Sequence, residues 1–382
     1  MRVCFVVPNV ASYECFLAGL GAALMERGAE VHCVCGFDPV FGRRNGASEG
    51  VRFHPVAMAR GFEPGAHLRA ARELREVVER WKPDVVHAHF SAGIFTVALA
   101  RRRGWPRTLG TFHGVSFAVL KGWRRAVHGI AECWAASRMD EVQVLTEGDR
   151  RELLRWRSGM AVRVLGSAGV GCELGRFEPG RFTNGEREVL RRRLGFGMGE
   201  VVFVFVGRWT SFKGFARTVR AFWRVARVCP EARLLLLGGY DPLHGSGLSA
   251  EERLRLAESR QVVVAGDQER VEEYLAASDV MVFPSEREGM SVCLMEALAM
   301  GVPVLTSTAR GCADVVRDGV DGEVLGDGSE EALALRMEAV CRDGGLRARY
   351  AEAALEGRGR FCRGRFIEEQ AGFYAMEGSC TA

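Results

Sequence analysis

Short apolar runs alternate with amphipathic stretches of helical period, and the alternation runs through twice. Residues 3–7, 31–35, 85–89, 108–112, 141–145 and 162–165 have the apolar, β-branched character of buried strands. Between them, 16–27 reads as a helix closed by Gly28. Residues 68–81 read as an amphipathic helix with Leu74, Val77, Val78 and Trp81 on one face, ended by Pro83. The pattern restarts at 201–206, followed by a glycine-bearing loop and a helix over 216–228. Strands at 233–237, 262–265, 280–283 and 302–306 continue it, with Pro303 near the start of the last. Such alternation builds parallel sheets covered by helices. The expected fold class is therefore α/β, with two Rossmann-like doubly wound domains facing across a cleft. The first takes in residues 1–180 and is rejoined by a terminal helix at about 361–382; the second is 181–360. The Gly- and Arg-rich stretch 175–199 reads as a linker with a short helix at 186–194.

A chain of 382 residues has room for two or three domains of ~100–200 residues each. An apolar fraction of 48% with 26% charged residues excludes a disordered chain and a small disulfide scaffold. The longest mostly apolar stretches, 92–100 and 297–305, fall far short of the ~20 residues of a spanning helix. Met1-Arg2 leads directly into a short apolar run, unlike a signal peptide, so the expected location is cytoplasmic. The twelve cysteines agree with that compartment. They are scattered, and the one close pair, Cys33-x-Cys35, has neither zinc-finger nor thioredoxin spacing. Most sit among apolar residues, where a reduced cysteine acts as a small hydrophobe, and no metal or redox role is expected.

The net charge of +4 conceals an asymmetry: residues 1–182 hold 26 Lys and Arg against 18 Asp and Glu, and the remainder holds 26 against 30. A basic half suggests an anionic partner. In Arg101-Arg102-Arg103-Gly104-Trp105 and Lys121-Gly122-Trp123-Arg124-Arg125 cations are interleaved with tryptophan, a combination suited to lipid headgroups. A solvated charged face explains these runs equally well. No nucleic-acid-binding motif is present, so no nucleic-acid partner is expected. Of the cations only Lys82, Lys121 and Lys213 are lysine.

Doubly wound domains bind ligands at the carboxyl ends of their strands, and two chemistry-bearing segments follow strands here. Val206-Gly207-Arg208-Trp209-Thr210-Ser211-Phe212-Lys213-Gly214 places a guanidinium and an ammonium before a helix. That set suits a diphosphate, although it lacks Walker A spacing and two solvated cations would look the same. In the second segment, 283–301, a loop carries Glu288 and Gly289, Ser291 is placed to cap a helix running to Met300, and Gly301 closes it. Glu296 lies about one and a half turns inside that helix. Its neighbours Leu294, Met295, Ala297 and Leu298 make the helix apolar nearly all round, which disfavours a plain surface role. A carboxylate accepting from vicinal hydroxyls is a usual way to hold a ribose.

These segments resemble glycosyltransferase family 4, the retaining enzymes of the GT-B fold. The Glu288-x7-Glu296 pair, the Gly207-Arg208-x4-Lys213-Gly214 loop and the Asp279-Val280-x3-Pro284-Ser285 lead-in carry the resemblance. So do 83–89, Thr111-Phe112-His113-Gly114, 169–177 and 310–319, so that it covers nearly the whole chain. The resemblance implies that Arg208 and Lys213 hold the donor diphosphate and stabilise the leaving group. Glu296 would bind the ribose. Glu288, with the backbone at Gly289, Met290 and Ser291, would hold the donor sugar, and the loop from Gly266 to Val271 would meet the base. His113, after a strand and before Gly114, would sit near the reacting bond; this is preferred to a satisfied structural histidine. Of His87 and His89, one would be core and the other would line the cleft.

The implied activity is transfer of a hexose-type sugar from a nucleotide sugar, with UDP-sugar as the expected donor. No metal or other cofactor is expected, and the chain has no Asp-x-Asp. Where many family members carry a glycine pair, this chain reads Pro8-Asn9-Val10-Ala11-Ser12-Tyr13, where close backbone approach is less free, and no phosphate contact is assigned to the loop at Asn9–Ser12. That variant loop, Arg60-Gly61-Phe62 and His89-Phe90-Ser91 are similar to the subgroup that builds bacterial surface polysaccharides on polyprenyl-diphosphate carriers. The expected acceptor is accordingly a glycan or a lipid-linked glycan, with a peripheral contact to an anionic membrane through Phe117, Trp123, Arg124 and Arg125. The alternatives are a GT-B-fold UDP-sugar epimerase and a non-catalytic nucleotide-sugar-binding protein.

Overall fold

A computed structural model describes residues 1–36, 49–58, 63–241, 244–326 and 328–376. The segment Arg60-Gly61-Phe62 lies outside the described residues. In chain order the elements are β1 (Arg2–Asn9), α1 (Val10–Phe16), α2 (Ala18–Glu26), β2 (Glu30–Gly36), β3 (Arg52–Pro55), α3 (Pro64–Trp81), β4 (Val85–His89), α4 (Phe90–Ala100), β5 (Arg107–Phe112), α5 (Gly122–Ala136), β6 (Glu141–Val144), α6 (Glu147–Trp156), β7 (Val162–Val164) and α7 (Asn184–Arg193). They continue with β8 (Val201–Val206), α8 (Phe215–Val225), β9 (Ala232–Leu237), α9 (Ala250–Glu258), β10 (Val262–Gly266), α10 (Val271–Ala276), β11 (Val280–Phe283), α11 (Val292–Ala299), β12 (Val304–Ser307), β13 (Gly322–Leu325), α12 (Glu330–Arg342), α13 (Gly344–Gly357) and α14 (Arg363–Met376).

The chain divides into two compact units, one of residues 1–170 with 364–382, the other of 171–363. In the first, the strands run in the order β3-β2-β1-β4-β5-β6-β7, and every described pairing is parallel. Val3, Phe5, Val6 and Val7 are buried, as befits a strand covered on both faces. The loops after β1 and β4 leave the sheet where the strand order reverses. α14 packs back on this sheet: Glu369 accepts from the Gly166 and Ser167 N–H groups at 3.0 and 3.1 Å. Tyr374 is buried, and its hydroxyl bonds His87 Nδ1.

The second unit repeats the plan in the order β10-β9-β8-β11-β12-β13, again parallel throughout. Its reversal lies between β8 and β11, the strands that feed the two motif loops. The hydrophobic face of α8 presents Phe215, Val219 and Phe222 to the sheet. The segment 171–180 belongs to this unit, where Cys172 pairs with Cys362 as an isolated parallel bridge.

Several local expectations shift. The loop foreseen at Asn9–Ser12 is instead a helix start. The Asn9 carboxamide caps α1, accepting from Ser12 N–H at 2.8 Å. The helix expected over 16–27 is broken at Leu17, whose neighbours form two short helices. Pro303 precedes β12 rather than lying within it. α3 begins four residues before the expected start, at Pro64, and ends at Trp81 as read: Lys82 takes the left-handed conformation (φ 44°) and donates its N–H to Val78 O at 2.9 Å.

Candidate active site

The charged centre of the second unit is assembled by two loops leaving adjacent strands. After β8 the chain turns at Gly207 (φ 150°), and Trp209 N–H bonds Gly239 O at 2.8 Å. One turn of 3-10 helix, Ser211–Lys213, ends at Gly214 (φ 77°), where α8 begins. A Cβ at Gly214 would stand 2.4 Å from Pro284 O, so glycine is required by backbone angle and by space. That close approach joins the first loop to the one after β11. Glu286 N–H donates to Phe212 O at 2.8 Å, and the Ser285 hydroxyl donates to Glu288 Oε1 at 2.7 Å.

Between the loops, Lys213 Nζ binds both oxygens of Glu288, at 2.6 and 2.7 Å, and lies 5.4 Å from the centre of the Phe283 ring. Both side chains are largely buried. Arg208 is not beside them in this ion pair: its guanidinium is 57% exposed and bonds Asp241. It also lies 5.8 Å from the Phe212 ring, which Arg287 covers at 4.1 Å. Arg287 is a nearby cation that motif reading passed over; its signal was its place beside Glu288.

Ser291 occupies the N-cap position of α11, but its hydroxyl makes no cap bond. It instead lies 3.3 Å from Cys293 Sγ. The expected side-chain cap is thus absent, which leaves the first N–H groups of α11 to another acceptor. Gly289 and Ser291 are positioned from behind by Gly311 (φ 75°). Ser291 N–H bonds Gly311 O at 2.9 Å, and a Cβ on Gly311 would stand 2.4 Å from Gly289 O. The 310–319 motif thus has a physical task. Met290 lies between these fixed points and is partly exposed.

Glu296 lies on α11, partly exposed, about one turn from its start at Val292. Burial of its carboxyl raises the pKa to about 7, against the lowering influence of Arg176 and Arg363 and with that of Glu272 and Glu173. Arg176 is anchored on Glu272 Oε2 at 2.9 Å. This gives the 169–177 motif a role near Glu296. Gly266 (φ 72°) ends β10, its carbonyl accepting from Gly238 N–H at 2.8 Å, and Val271 opens α10.

His113 stands in the first unit, after β5. Its Nε2 is 3.1 Å from His89 Nδ1, its ring stacks on Phe90 (4.1 Å between centres, 18° between planes), and its buried Nδ1 has no hydrogen-bond partner among the described residues. Burial lowers its pKa to about 3, so the ring is neutral. Phe90 has φ 63°, the left-handed region that a bulky residue adopts at a cost. The strain sits at the end of β4 and turns the ring of Phe90 against His113. Both His87 and His89 are buried: His87 joins Thr111 Oγ1 (2.7 Å) and Tyr374, while His89 contacts His113.

The four residues expected at a membrane surface separate into two groups. Phe117 is wholly buried, and Arg125 is spent on Glu152 at 2.6 Å and on Ala118 O at 3.0 Å. Neither is available to a lipid surface, because each fastens α5 to its neighbours. Trp123, by contrast, is 72% exposed with the Arg124 guanidinium 5.7 Å from its ring. Val127, Ile130 (64% exposed) and Trp134 continue a surface stripe along α5 at the i, i+4, i+7, i+11 spacing of one helix face. Among the described residues no helix is long and apolar enough to cross a membrane.

Comparison with known proteins agrees with this geometry. Residues 186–357 match the family "Glycosyl transferases group 1", and residues 14–169 match the "Glycosyl transferase 4-like domain". The putative glycosyltransferase EpsD of Bacillus subtilis is 26% identical over 322 residues, which is 82% of this chain and 82% of that one. The N-acetyl-alpha-D-glucosaminyl L-malate synthase of Bacillus anthracis is 24% identical over 358 residues, covering 91% of this chain and 89% of that one. Among solved structures, Anabaena HepE in complex with UDP and glucose superposes with a TM-score of 0.80 at 16% identity, over 98% of this chain and 99% of that one. With two doubly wound units and both family matches, the chain belongs to glycosyltransferase family 4 and has the GT-B fold.

Proposed function

We propose that the protein is a retaining, metal-independent hexosyltransferase that uses a UDP-sugar and an acceptor that is a glycan or a polyprenyl-diphosphate-linked glycan, in bacterial polysaccharide or glycoconjugate synthesis. The observation that carries the reading is the Lys213–Glu288 pair at the β8/β11 reversal, on the two loops that also carry Arg208, turned here to Asp241, and the uncapped start of α11. In glycosyl transfer the anomeric C–O bond to the diphosphate breaks, and the acceptor oxygen forms the new glycosidic bond. The acceptor proton ends on the departing diphosphate. Negative charge grows on that leaving group as an oxocarbenium-like centre develops, and prepositioned cations and backbone N–H groups stabilise it.

In this reading Lys213 and Arg208 take the diphosphate charge that a divalent ion would otherwise meet. Glu288 and the backbone of Gly289, Met290 and Ser291 hold the sugar. Glu296 accepts from the ribose, the Gly266–Val271 loop meets the base, and His113 presents a neutral imidazole to the substrate. Both oxygens of Glu288 are engaged by an ammonium, which makes it a poor covalent nucleophile. That favours front-face attack by the acceptor over a double displacement. HepE, of the same fold, was solved with UDP and glucose, which supports uridine as the base.

The exposed stripe of α5 supports a peripheral seat on an anionic bilayer, where a lipid-linked acceptor resides. The test is a thermal-shift panel of UDP, GDP, ADP and dTDP and their sugars, with and without EDTA, followed by transfer assays on lipid-linked acceptors. A UDP-selective, EDTA-insensitive shift, equal to about 2.7 kcal/mol at 100 times the dissociation constant, is expected. Loss of the shift in EDTA would overturn metal independence. Interconversion of sugars without any acceptor would favour the epimerase instead.

A further inference from the structure

Away from the motif loops, Cys229, Glu231 and Cys341 converge at the amino-terminal end of the strands of the second sheet. One side-chain ligand atom of each lies within 4.8 Å of the other two. Cys341 Sγ is 3.8 Å from Glu231 Oε1. It is the one such metal-competent group among the described residues. Cys229 follows α8, Glu231 directly precedes β9, and Cys341 lies in the last turn of α12. The chemistry-bearing loops follow the carboxyl ends of β8 and β11, so this cluster is at the strands' other end and takes no part in holding the donor.

The backbone under the cluster is fixed. Cys229 N–H bonds Val225 O at 2.9 Å, Ala232 N–H bonds Cys229 O at 3.0 Å, and Val201 N–H bonds Glu231 O at 3.0 Å. Pro230 holds the turn between the first two ligands, and its carbonyl accepts from Arg233 at 2.8 Å. On the other side, Arg347 donates to Cys341 O at 2.7 Å and Arg342 donates to Val228 O at 3.1 Å. Both cysteines are buried, and Glu231 is partly open to solvent.

We propose that Cys229, Glu231 and Cys341 bind one zinc ion that ties α12 to the amino-terminal edge of β9. Two thiolates and one carboxylate are a soft donor set, suited to zinc and unsuited to magnesium or calcium, which take oxygen ligands. Zinc bonds of about 2.3 Å to sulfur and about 2.0–2.2 Å to oxygen put tetrahedral ligands roughly 3.5–3.8 Å apart. The three atoms, within 4.8 Å of one another without an ion, would draw in to that spacing on binding. Water completes the tetrahedron on the solvent side of Glu231. Three anionic ligands around a dication leave one net negative charge, which the guanidiniums of Arg342 and Arg347 offset. The ion is structural, and the glycosyl transfer proposed above does not depend on it.

The test uses the full-length protein, purified under reducing conditions from zinc-supplemented culture and dialysed against zinc-free buffer. About one zinc per chain is expected to remain. Cys229→Ser and Cys341→Ser are expected to lose it, and Cys15→Ser to keep it. Cobalt exchanged into the wild-type protein is expected to give thiolate-to-metal charge-transfer absorption in the near ultraviolet and tetrahedral bands in the visible. That measurement stands even if a serine variant fails to fold. No retained zinc, with no thiolate–cobalt band on cobalt addition, would overturn the proposal. So would a mass lower by two hydrogens with a peptide joining Cys229 to Cys341, which would make the pair a disulfide.

Discussion

Lys213 Nζ lies 2.6 Å from one carboxylate oxygen of Glu288 and 2.7 Å from the other, so the cation assigned to the diphosphate is already held by the carboxylate assigned to the sugar. The pair keeps the ammonium aimed between the two loops. Lys213→Ala is expected to lower kcat by roughly 10²–10³ at saturating donor, because the lost charge acts mainly on the leaving group. The same substitution strands a largely buried carboxylate, so Lys213→Ala is expected to melt below Lys213→Ala/Glu288→Gln. Steady-state rates and thermal melts of the three proteins read both effects; an unchanged kcat would remove Lys213 from the reaction.

Gly214 and Gly311 are constrained by angle and by space. Gly214→Ala would set a methyl 2.4 Å from Pro284 O at φ 77°, and Gly311→Ala would do the same to Gly289 O at φ 75°. Each is expected to cost roughly 1–3 kcal/mol in backbone strain, more where the collision persists. The loss of nucleotide affinity is expected to exceed that of Gly175→Ala, a position with no atom within 4 Å. Isothermal titration with UDP checks the order.

The pKa of Glu296, raised to about 7 by burial, sets two opposite pH dependences. In the donor-free protein the folded state holds the proton below about 7, whereas the unfolded chain holds it only below the ordinary carboxyl value of 4.5. This group's contribution to stability is therefore full below 4.5 and is lost as pH rises through 7. Ribose binding needs the carboxylate, so affinity for a UDP-sugar is expected to fall as pH drops below 7. Glu296→Gln should flatten both curves. A wild-type affinity independent of pH between 6 and 8 would separate Glu296 from the ribose.

His113, with its pKa lowered to about 3, stays neutral across the working range. His113→Ala is expected to reduce kcat/KM while leaving the shape of its pH profile between 5 and 9 unchanged. A step near 6.5 that vanishes in the variant would show a titrating imidazole instead.

The two halves of the membrane stretch are separable by substitution. Trp123→Ser with Ile130→Asp is expected to reduce co-sedimentation with phosphatidylglycerol vesicles and leave the melting temperature unchanged, since both side chains are exposed. Arg125→Glu is expected to lower the melting temperature, because it opposes Glu152. Equal vesicle binding by the Trp123/Ile130 variant and the wild type would return the stripe to a plain solvent face.

The sequence made the strands legible because buried parallel strands are continuous apolar runs. The limits of β4, β8 and β11 are those read from the residues alone. It also marked the positions of Lys213, Glu288 and Glu296. It did not carry the pairing: nothing in spacing distinguishes Lys213 bound to Glu288 from Lys213 free, or shows Arg208 turned to Asp241. Nor did it tell Phe117, in the turn before α5, from Trp123 on α5, six residues away, because burial is decided by what packs on each. The strain at Phe90 left no trace either, since aromatic residues rarely take positive φ. The two cysteines of the rear cluster are over a hundred residues apart, beyond any motif window.

The chain enters the second unit near residue 171 and leaves it near 363, and α14 then completes the first sheet's cover through Glu369 and Tyr374. In synthesis order, the unit that begins the chain is the last to be finished. While the ribosome is still making α14, the second unit already has all its strands and can fold, whereas the first waits with Tyr374's place open beside His87. A chain stopped before Tyr374 would therefore injure the unit that holds its first strand, hundreds of residues away in sequence.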